Sequence, residues 1–140
     1  MANEYPHLVW VDCEMTGLDT ANDVLVEIAV LVTDSELNII GDGVDVVIKA
    51  SAEKIAGMND FVTKMHTDSG LINEIPNGIS VSDAEELIIK YLESAGVTAG
   101  KSPLAGNSVY VDRIFITRDM PKLSEYLHYR TIDVSSIKEL

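Results

Sequence analysis

Residues 8–18 read Leu-Val-Trp-Val-Asp-Cys-Glu-Met-Thr-Gly-Leu, and this stretch is expected to form the centre of the fold. Four consecutive apolar residues predict a strand buried on both faces, and two carboxylates follow where the apolar character stops. Residues two apart in a strand share a face, with Cα atoms roughly 6.5 to 7 Å apart. We therefore expect Asp12 and Glu14 to point to one side of the strand exit and Cys13 to the other.

This pair of carboxylates has an ordinary explanation and a functional one. Taken alone, an Asp-x-Glu triplet at a strand end is more often a solvated turn than a site. The same spacing also suits one or two hard cations, which prefer oxygen ligands. Thr16 and Gly17 let the chain leave the sheet, and Leu18 then stands as an apolar side chain among charged ones. That position favours docking of an apolar group.

The composition limits the possible partners. With 140 residues and a 46% hydrophobic fraction, the chain is long enough for one well-packed domain. Its net charge of −13 argues against a long, sequence-independent grip on nucleic acid, because that grip depends on Lys and Arg. Any nucleic-acid ligand should be short. One cysteine, no signal-peptide pattern and no apolar run near 18 residues predict a cytoplasmic protein without a membrane partner, with Cys13 as a small buried residue.

Residues 8–48 predict an antiparallel meander of three strands joined by short turns. The strands cover about residues 8–12, 24–33 and 38–48, and Gly41 and Gly43 mark a bend in the third. Glu27 is an anomaly inside the apolar second strand. A lone glutamate there is either hydrogen-bonded near a sheet edge or part of a site, and the sequence leaves both open.

The second half of the chain alternates helices with short strands. A helix begins near Asn59, and another begins with a capping box at residues 82–85 and ends at Gly96. Further elements are predicted as a short strand at 103–107, a helix at 108–120 with Val111, Ile114 and Phe115 facing inward, one or two helical turns at 121–127, a strand at 131–134, and a helix opening at Ser135.

This order predicts an α/β fold of one domain, residues 1–140, with a mixed sheet and flanking helices, as in the ribonuclease H-like architecture. The first strand is then central and the strand near Leu104 lies beside it. Because the 108–120 helix follows directly from that neighbour, Asp112 can reach the tip that carries Asp12 and Glu14. Three carboxylates converging there would repel one another without divalent metal. Asp112 alone also has an ordinary explanation, since aspartates near a helix start meet the dipole favourably.

The same residues resemble the DEDD family of 3′-to-5′ exonucleases and, within it, the oligoribonuclease group. Residues 10–18 resemble the first exonuclease motif, and the second is matched by Gly-Asn-Ser-x-x-x-Asp at residues 106–112. His-Tyr-Arg-x-x-Asp-Val-Ser at residues 128–135 is similar to the oligoribonuclease pattern. The resemblance covers most of the chain. It implies an exoribonuclease that degrades dinucleotides and very short RNAs to 5′-mononucleotides by two-metal-ion hydrolysis.

The resemblance also implies roles for individual residues. Two divalent cations, Mg²⁺ or Mn²⁺, would be bridged by Asp12, with Glu14 on the ion that activates water and Asp112 on the ion near the leaving oxygen. Leu18 and Phe61 would flank two bases, and phenylalanine stands where tryptophan is usual, which should weaken stacking. The other implied residues are His66 near the substrate, Ser108, Arg130 and Ser135 around the 5′ phosphate, and Tyr129, which comes across from a partner subunit and so implies a homodimer.

One feature of that family is not found in this sequence. Its members place a general-base histidine five residues before a fourth metal-binding aspartate on a late helix. His7 with Asp12 has that spacing, but strand geometry puts His7 on the opposite face and roughly 16 Å away. His128 with Asp133 has it too, at a predicted loop leading into a strand. We therefore expect a C-terminally truncated chain with impaired catalysis.

Two other functions stay open at this point. The chain could be a non-catalytic fragment that binds short nucleotides or only dimerises. It could also be a DNA proofreading exonuclease. A preference for deoxy substrates or tolerance of long single strands would support that alternative.

Overall fold

The computed structural model describes residues 5–140, which form a mixed sheet with helices packed against it. The strands are β1 (His7–Met15), β2 (Leu25–Asp34), β3 (Ile39–Val47), β4 (Pro103–Gly106) and β5 (His128–Asp133). The helices are α1 (Ala52–Ala56), α2 (Asp60–Asp68), α3 (Leu71–Glu74), α4 (Val81–Ser94), α5 (Val109–Asp119), α6 (Pro121–Tyr126) and α7 (Val134–Lys138), with a 3₁₀ turn (Ile75–Asn77) before α4. No helix in this part of the chain is both long and apolar enough to cross a membrane.

The strand order is β3-β2-β1-β4-β5. β1 pairs antiparallel with β2 and parallel with β4, and β4 pairs parallel with β5. The predicted meander, the central position of the first strand and its neighbour near Leu104 are all confirmed. Because β1, β4 and β5 run in the same direction, their carboxyl ends meet at one edge of the sheet, which we call the exit edge.

Side chains alternate along β1 as the sequence predicts. Val9, Val11 and Cys13 are buried in the main core, whereas Asp12 is exposed on the other face. The core against these residues comes largely from the fully buried apolar faces of α4 and α5. Burying each such side chain contributes about 1.5–3 kcal/mol. The placement of Cys13 as a small buried residue is confirmed.

Two strands are longer than predicted. β1 continues beyond Asp12 to Met15, because Glu14 and Met15 still pair with β2 across a bulge. β5 begins at His128, whose N–H donates to the Ser102 carbonyl at 2.8 Å. The prediction of a loop at His128 is therefore wrong, and residues 128–130 lie in a strand.

The predicted capping box at residues 82–85 is wrong. α4 starts earlier, with Ser80 as its N-cap, and the Ser80 hydroxyl accepts from the Asp83 N–H at 3.0 Å. The buried Glu85 carboxylate instead accepts from the Lys122 and Leu123 N–H groups at 2.9 and 3.1 Å. Glu85 thus caps the first turn of α6, which satisfies N–H groups that have no partner within that helix.

Three further local predictions can be compared with the structure. Gly41 and Gly43 both have a φ of +74°, and the β2–β3 register shifts between Val30 and Val32, so the predicted bend is confirmed. Phe115 faces inward as predicted, but Ile114 is 46% exposed and the adjacent Ile116 is buried in its place. α1 was not predicted.

Candidate active site at the exit edge of the sheet

Asp12 and Glu14 lie on the same face of β1, opposite Ala29 and Glu27 of β2. Asp12 is exposed and Glu14 is half-buried. Burial raises the pKa of the Glu14 carboxyl, the Asp12 charge raises it further, and His66 opposes both. The two carboxylates therefore repel one another at the strand end.

Asp112 reaches this edge through the junction of β4 and α5. Gly106 ends β4 against β1, where an added Cβ would come within 2.8 Å of the Val11 carbonyl oxygen, so only glycine fits without a shift. Ser108 then adopts a left-handed conformation with a φ of +51°, and the chain turns directly into α5. The first turn of that helix carries Asp112, which is 6% exposed.

The surroundings of Asp112 disfavour its charge. Burial raises the pKa of its carboxyl to about 7, and the charges of Asp12, Glu14 and Asp133 add to the effect in that order. Each neighbour is a carboxylate, and no hydrogen bond from the described residues contributes to the shift. A cation at this place would relieve that repulsion.

Across residues 5–140, no three His, Cys, Asp or Glu side chains stand close enough together to form a ready-made metal site. The donor chemistry is nevertheless that of a hard divalent cation, because Asp12, Glu14 and Asp112 offer only oxygen and an excess of negative charge. The residues present therefore fit such a cation by charge and ligand type.

Glu27 extends the acidic face beyond the predicted set. It lies directly opposite Glu14 in the β1–β2 ladder. Burial, a hydrogen bond with the Asp45 side chain and the Asp45 charge raise the pKa of Glu27 to about 7. Its place in an apolar run was a visible signal, but the strand register that sets it opposite Glu14 is a property of the folded sheet.

An apolar groove opens beside Glu14. Leu18 is 74% exposed and Phe61 is 77% exposed, although both are large apolar side chains. They line a cavity of about 340 Å³ together with Glu14 and Met65. Met65 was not among the predicted site residues, and its only signal is that it follows Phe61 by one helical turn.

His66 is buried, at 1% exposure, and its Nε2 lies 2.8 Å from the Met15 carbonyl oxygen. With Nε2 carrying the proton, the ring donates to this oxygen. His66 thus joins α2 to the end of β1 immediately after Glu14.

Ser108 and Ser135 are brought together by Asp133. The Asp133 carboxylate accepts from the Ser108 N–H at 2.8 Å, the Ser135 N–H at 3.0 Å and the Ser135 hydroxyl at 2.6 Å. These hydrogen bonds, led by that of the Ser135 side chain, hold the pKa of Asp133 below its ordinary value.

Arg130 lies apart from these two serines. Its Nη1 donates to the Tyr5 hydroxyl at 2.9 Å, beside the start of β1, and its guanidinium is 5.7 Å from the Tyr129 ring centroid. Tyr129 is 75% exposed and stacks on His128 with ring centroids 4.4 Å apart.

The two histidines with the five-residue spacing lie at the wrong end of the sheet. His7 begins β1 and His128 begins β5, whereas Asp12 and Asp133 lie toward the ends of those strands. Neither ring is therefore placed beside the carboxylates.

Known exonucleases resemble this chain in sequence. Residues 9–140 match the family model described as "Exonuclease". The oligoribonuclease of Cutibacterium acnes is 54% identical over 133 residues, which cover 95% of this chain and 66% of that protein. That of Leifsonia xyli is 53% identical over 140 residues, covering 100% of this chain and 68% of its own length.

The chain belongs to the oligoribonuclease family of exonucleases. It spans about two thirds of the length of the curated relatives it matches. The oligoribonuclease of Rhodococcus jostii adds a third example, at 57% identity over 134 residues, with 95% of this chain and 67% of that protein covered.

Solved structures resemble this oligoribonuclease-family chain in fold. Apo exonuclease I gives a TM-score of 0.69 at 19% identity, covering 96% of this chain and 30% of that one. The E. coli exonuclease I complex with a dT13 oligonucleotide gives 0.68 at 18% identity, covering 94% and 28%. The predicted ribonuclease H-like fold and the family resemblance are confirmed.

Proposed function

We propose that this chain is the catalytic-site-bearing part of a 3′-to-5′ exoribonuclease that hydrolyses dinucleotides and very short RNAs to 5′-mononucleotides, with residues 1–140 acting as one exonuclease domain in the cytoplasm. The observation that carries the proposal is Asp112, a buried carboxyl beside Asp12 and Glu14 whose pKa is raised to about 7. Perturbed carboxyl groups gathered in this way are typical of functional sites.

The proposed cofactors are two divalent cations, Mg²⁺ or Mn²⁺, with Asp12, Glu14 and Asp112 as their ligands. When bound, such cations activate water and stabilise negative charge at the reacting phosphoryl group. The protein's part is to hold three oxygen donors on two rigid elements, the end of β1 and the first turn of α5.

The substrate contacts follow from the groove and the two serines. Leu18 and Phe61 present exposed apolar surface on which two bases could stack. Ser108 and Ser135, both held by Asp133, would face the 5′ phosphate. Arg130 would join them only after releasing Tyr5. The net charge of −13 supports short substrates, because binding of a long strand depends on many Lys and Arg side chains that neutralise its phosphates.

Two further residues keep the roles that the family implies. His66 would act near the substrate, where its bond to the Met15 carbonyl also fixes the chain next to Glu14. Tyr129 would act in the site of a second subunit, so we propose a homodimer. Its 75% exposure on the edge strand β5 leaves it available for such a contact.

Turnover by residues 1–140 alone should be slow. Among the described residues, His66 is the histidine that approaches the carboxylates, and its Nε2 is engaged by a backbone carbonyl. We expect loss of the general-base contribution, roughly 10²- to 10⁴-fold. The engagement of His66 by the Met15 carbonyl also favours a second candidate function, a short-nucleotide-binding protein without catalysis.

Paired binding and turnover measurements separate these functions. Calorimetry of the 140-residue chain with a 5′-phosphorylated ribodinucleotide and Ca²⁺ measures affinity, and release of mononucleotides in Mn²⁺ measures hydrolysis. The exonuclease proposal predicts tight binding with slow hydrolysis that Asp12→Asn removes. Binding without any hydrolysis would favour the second candidate, and a preference for deoxy or long strands would contradict the proposed substrate.

A further inference from the structure

The loop of residues 17–23 carries Leu18 between β1 and β2, and Asp23 sets its shape. The Thr16 hydroxyl and the Asp19 N–H donate to the two Asp23 carboxylate oxygens at 2.8 and 2.9 Å. The chain passes so close that a Cβ at Gly17 would lie 2.4 Å from that carboxylate. The loop is therefore folded around Asp23, and Leu18 is left pointing outward.

Arg118 grips this loop from the last turn of α5. Its Nη1 donates to the Thr20 carbonyl and its Nη2 to the Asp23 carbonyl, both at 2.6 Å. Asp119 fixes the guanidinium by accepting from Nε at 2.8 Å and from Nη2 at 2.6 Å. Four of the five N–H donors of a guanidinium are used in this way, in a planar fork that lysine does not possess.

The same helix carries Asp112 in its first turn and Arg118 in its last. The two residues are about 9 Å apart along the helix axis. One rigid element thus holds both a carboxylate of the proposed metal site and the loop that presents Leu18. Arg118 lies outside all three stretches that carry the family resemblance, residues 10–18, 106–112 and 128–135.

We propose that Arg118 is a positioning residue. It holds Leu18 at the mouth of the apolar groove and fixes the position of Leu18 relative to Asp112. The inference rests on the proposed function, because it takes Leu18 as a contact for a substrate base. Arg118 does not touch the substrate. It acts by restricting the backbone of the loop.

Lys54 provides a matched control. Its Nζ also binds the loop, at the Asn22 carbonyl at 2.5 Å, but through one hydrogen bond from a flexible ammonium group. A single hydrogen bond of this kind should restrict the loop far less than a guanidinium that binds two loop carbonyls and is itself fixed by Asp119.

The test compares wild type, Arg118→Ala, Arg118→Lys and Lys54→Ala. Calorimetry in Ca²⁺ measures the affinity for a 5′-phosphorylated ribodinucleotide and for the same molecule with both bases replaced by hydrogen. Both Arg118 variants should bind the dinucleotide roughly 10-fold more weakly, within the range for one lost base contact. Their affinity for the base-free molecule, and both affinities of Lys54→Ala, should stay as in wild type.

Hydrogen exchange of the amides in residues 17–23 provides a readout that needs no nucleotide. Exchange should become roughly 10-fold faster in both Arg118 variants and stay unchanged in Lys54→Ala. Unchanged exchange in Arg118→Lys, or equal losses of affinity for the two ligands, would overturn the inference. If the wild type binds no dinucleotide, the proposed function and its account of Leu18 fail together. If the wild type binds the dinucleotide and Arg118→Ala binds it equally well, the inference alone is overturned.

Discussion

Asp112 and Asp133 stand at the same edge of the sheet, yet their surroundings shift their pKa values in opposite directions. Burial and three neighbouring carboxylates raise the pKa of Asp112 to about 7. Asp133 accepts hydrogen bonds from a hydroxyl and backbone N–H groups, which lower its pKa. Hydrogen bonds to the charged form stabilise it, whereas burial and like charge destabilise it. The difference separates a carboxylate whose charge is satisfied by hydrogen bonds within the protein from one whose charge is not.

Asp133 therefore serves the fold at the exit edge. It joins the start of α5 to the start of α7 by binding Ser108 and Ser135. Asp112 is one turn further along α5 and is held against Asp12 and Glu14 at a cost in electrostatic energy. Such a cost persists where the position serves a function.

The largest expected effect is on hydrolysis by the metal-binding set. Asp12→Asn and Asp112→Asn should each lower the single-turnover rate with a ribodinucleotide in Mn²⁺ by more than about 100-fold, because even outer-shell partners of a metal cost up to that much. Asp133→Asn should cost much less, since that carboxylate binds serines. Glu36→Gln, in an exposed turn, is the control. Equal losses in Asp112→Asn and Asp133→Asn would erase the proposed distinction.

The next effect concerns binding in the apolar groove beside Glu14. Phe61→Ala should weaken dinucleotide binding by roughly 5- to 150-fold, corresponding to about 1–3 kcal/mol of stacking per base, and Phe61→Trp should strengthen it. Because Phe61 is 77% exposed, neither change should alter the melting temperature appreciably. A fall in melting temperature that accounts for the lost affinity would assign Phe61 to folding.

A smaller effect is expected at Tyr5 and Arg130. Arg130→Ala should lower the preference for a 5′-phosphorylated over an unphosphorylated dinucleotide by roughly 10-fold, the value of one charge-assisted hydrogen bond. Tyr5→Phe removes the hydroxyl that accepts from Arg130 and should leave that preference unchanged or increase it. A loss in Tyr5→Phe as large as in Arg130→Ala would show that their contact itself forms the phosphate site.

A separate effect is expected on the pH dependence of stability without divalent cations. With a folded pKa of about 7 and an ordinary value of 3.8, Asp112 keeps a proton in the folded chain that the unfolded chain has lost. Its contribution to stability is therefore greatest below about pH 4 and is lost as the pH rises toward 7, and Glu27 acts in the same direction. Asp133 acts oppositely, since its stabilisation is lost as the pH falls through its lowered pKa.

Thermal melts between pH 4 and 8 measure these contributions. Asp112→Asn should flatten the decline toward pH 8, whereas Asp133→Asn should leave it in place. A melting temperature that rises steadily toward pH 8 in wild type would contradict the raised pKa of Asp112.

The sequence predicts the parts of the site that depend on local pattern. Alternation along β1 places Asp12 and Glu14 together, and the short path from β4 into α5 brings Asp112 toward them. Glu27 could not be assigned because its role depends on the β1–β2 register. Glu85 and Arg118 could not be assigned because their partners lie 37 and 95 or more residues away in the chain. The motif groups Arg130 with Ser135, but Arg130 lies within β5 and binds Tyr5, whereas Ser135 lies in α7 and binds Asp133.

Manganese binding tests the central claim most directly. Calorimetric titration of Mn²⁺ at pH 8, where Asp112 is ionised, compares wild type with Asp112→Asn and Asp133→Asn. The account predicts binding by wild type, a loss of at least roughly 10-fold in Asp112→Asn, and little change in Asp133→Asn. Equal affinity of wild type and Asp112→Asn for Mn²⁺ would contradict it.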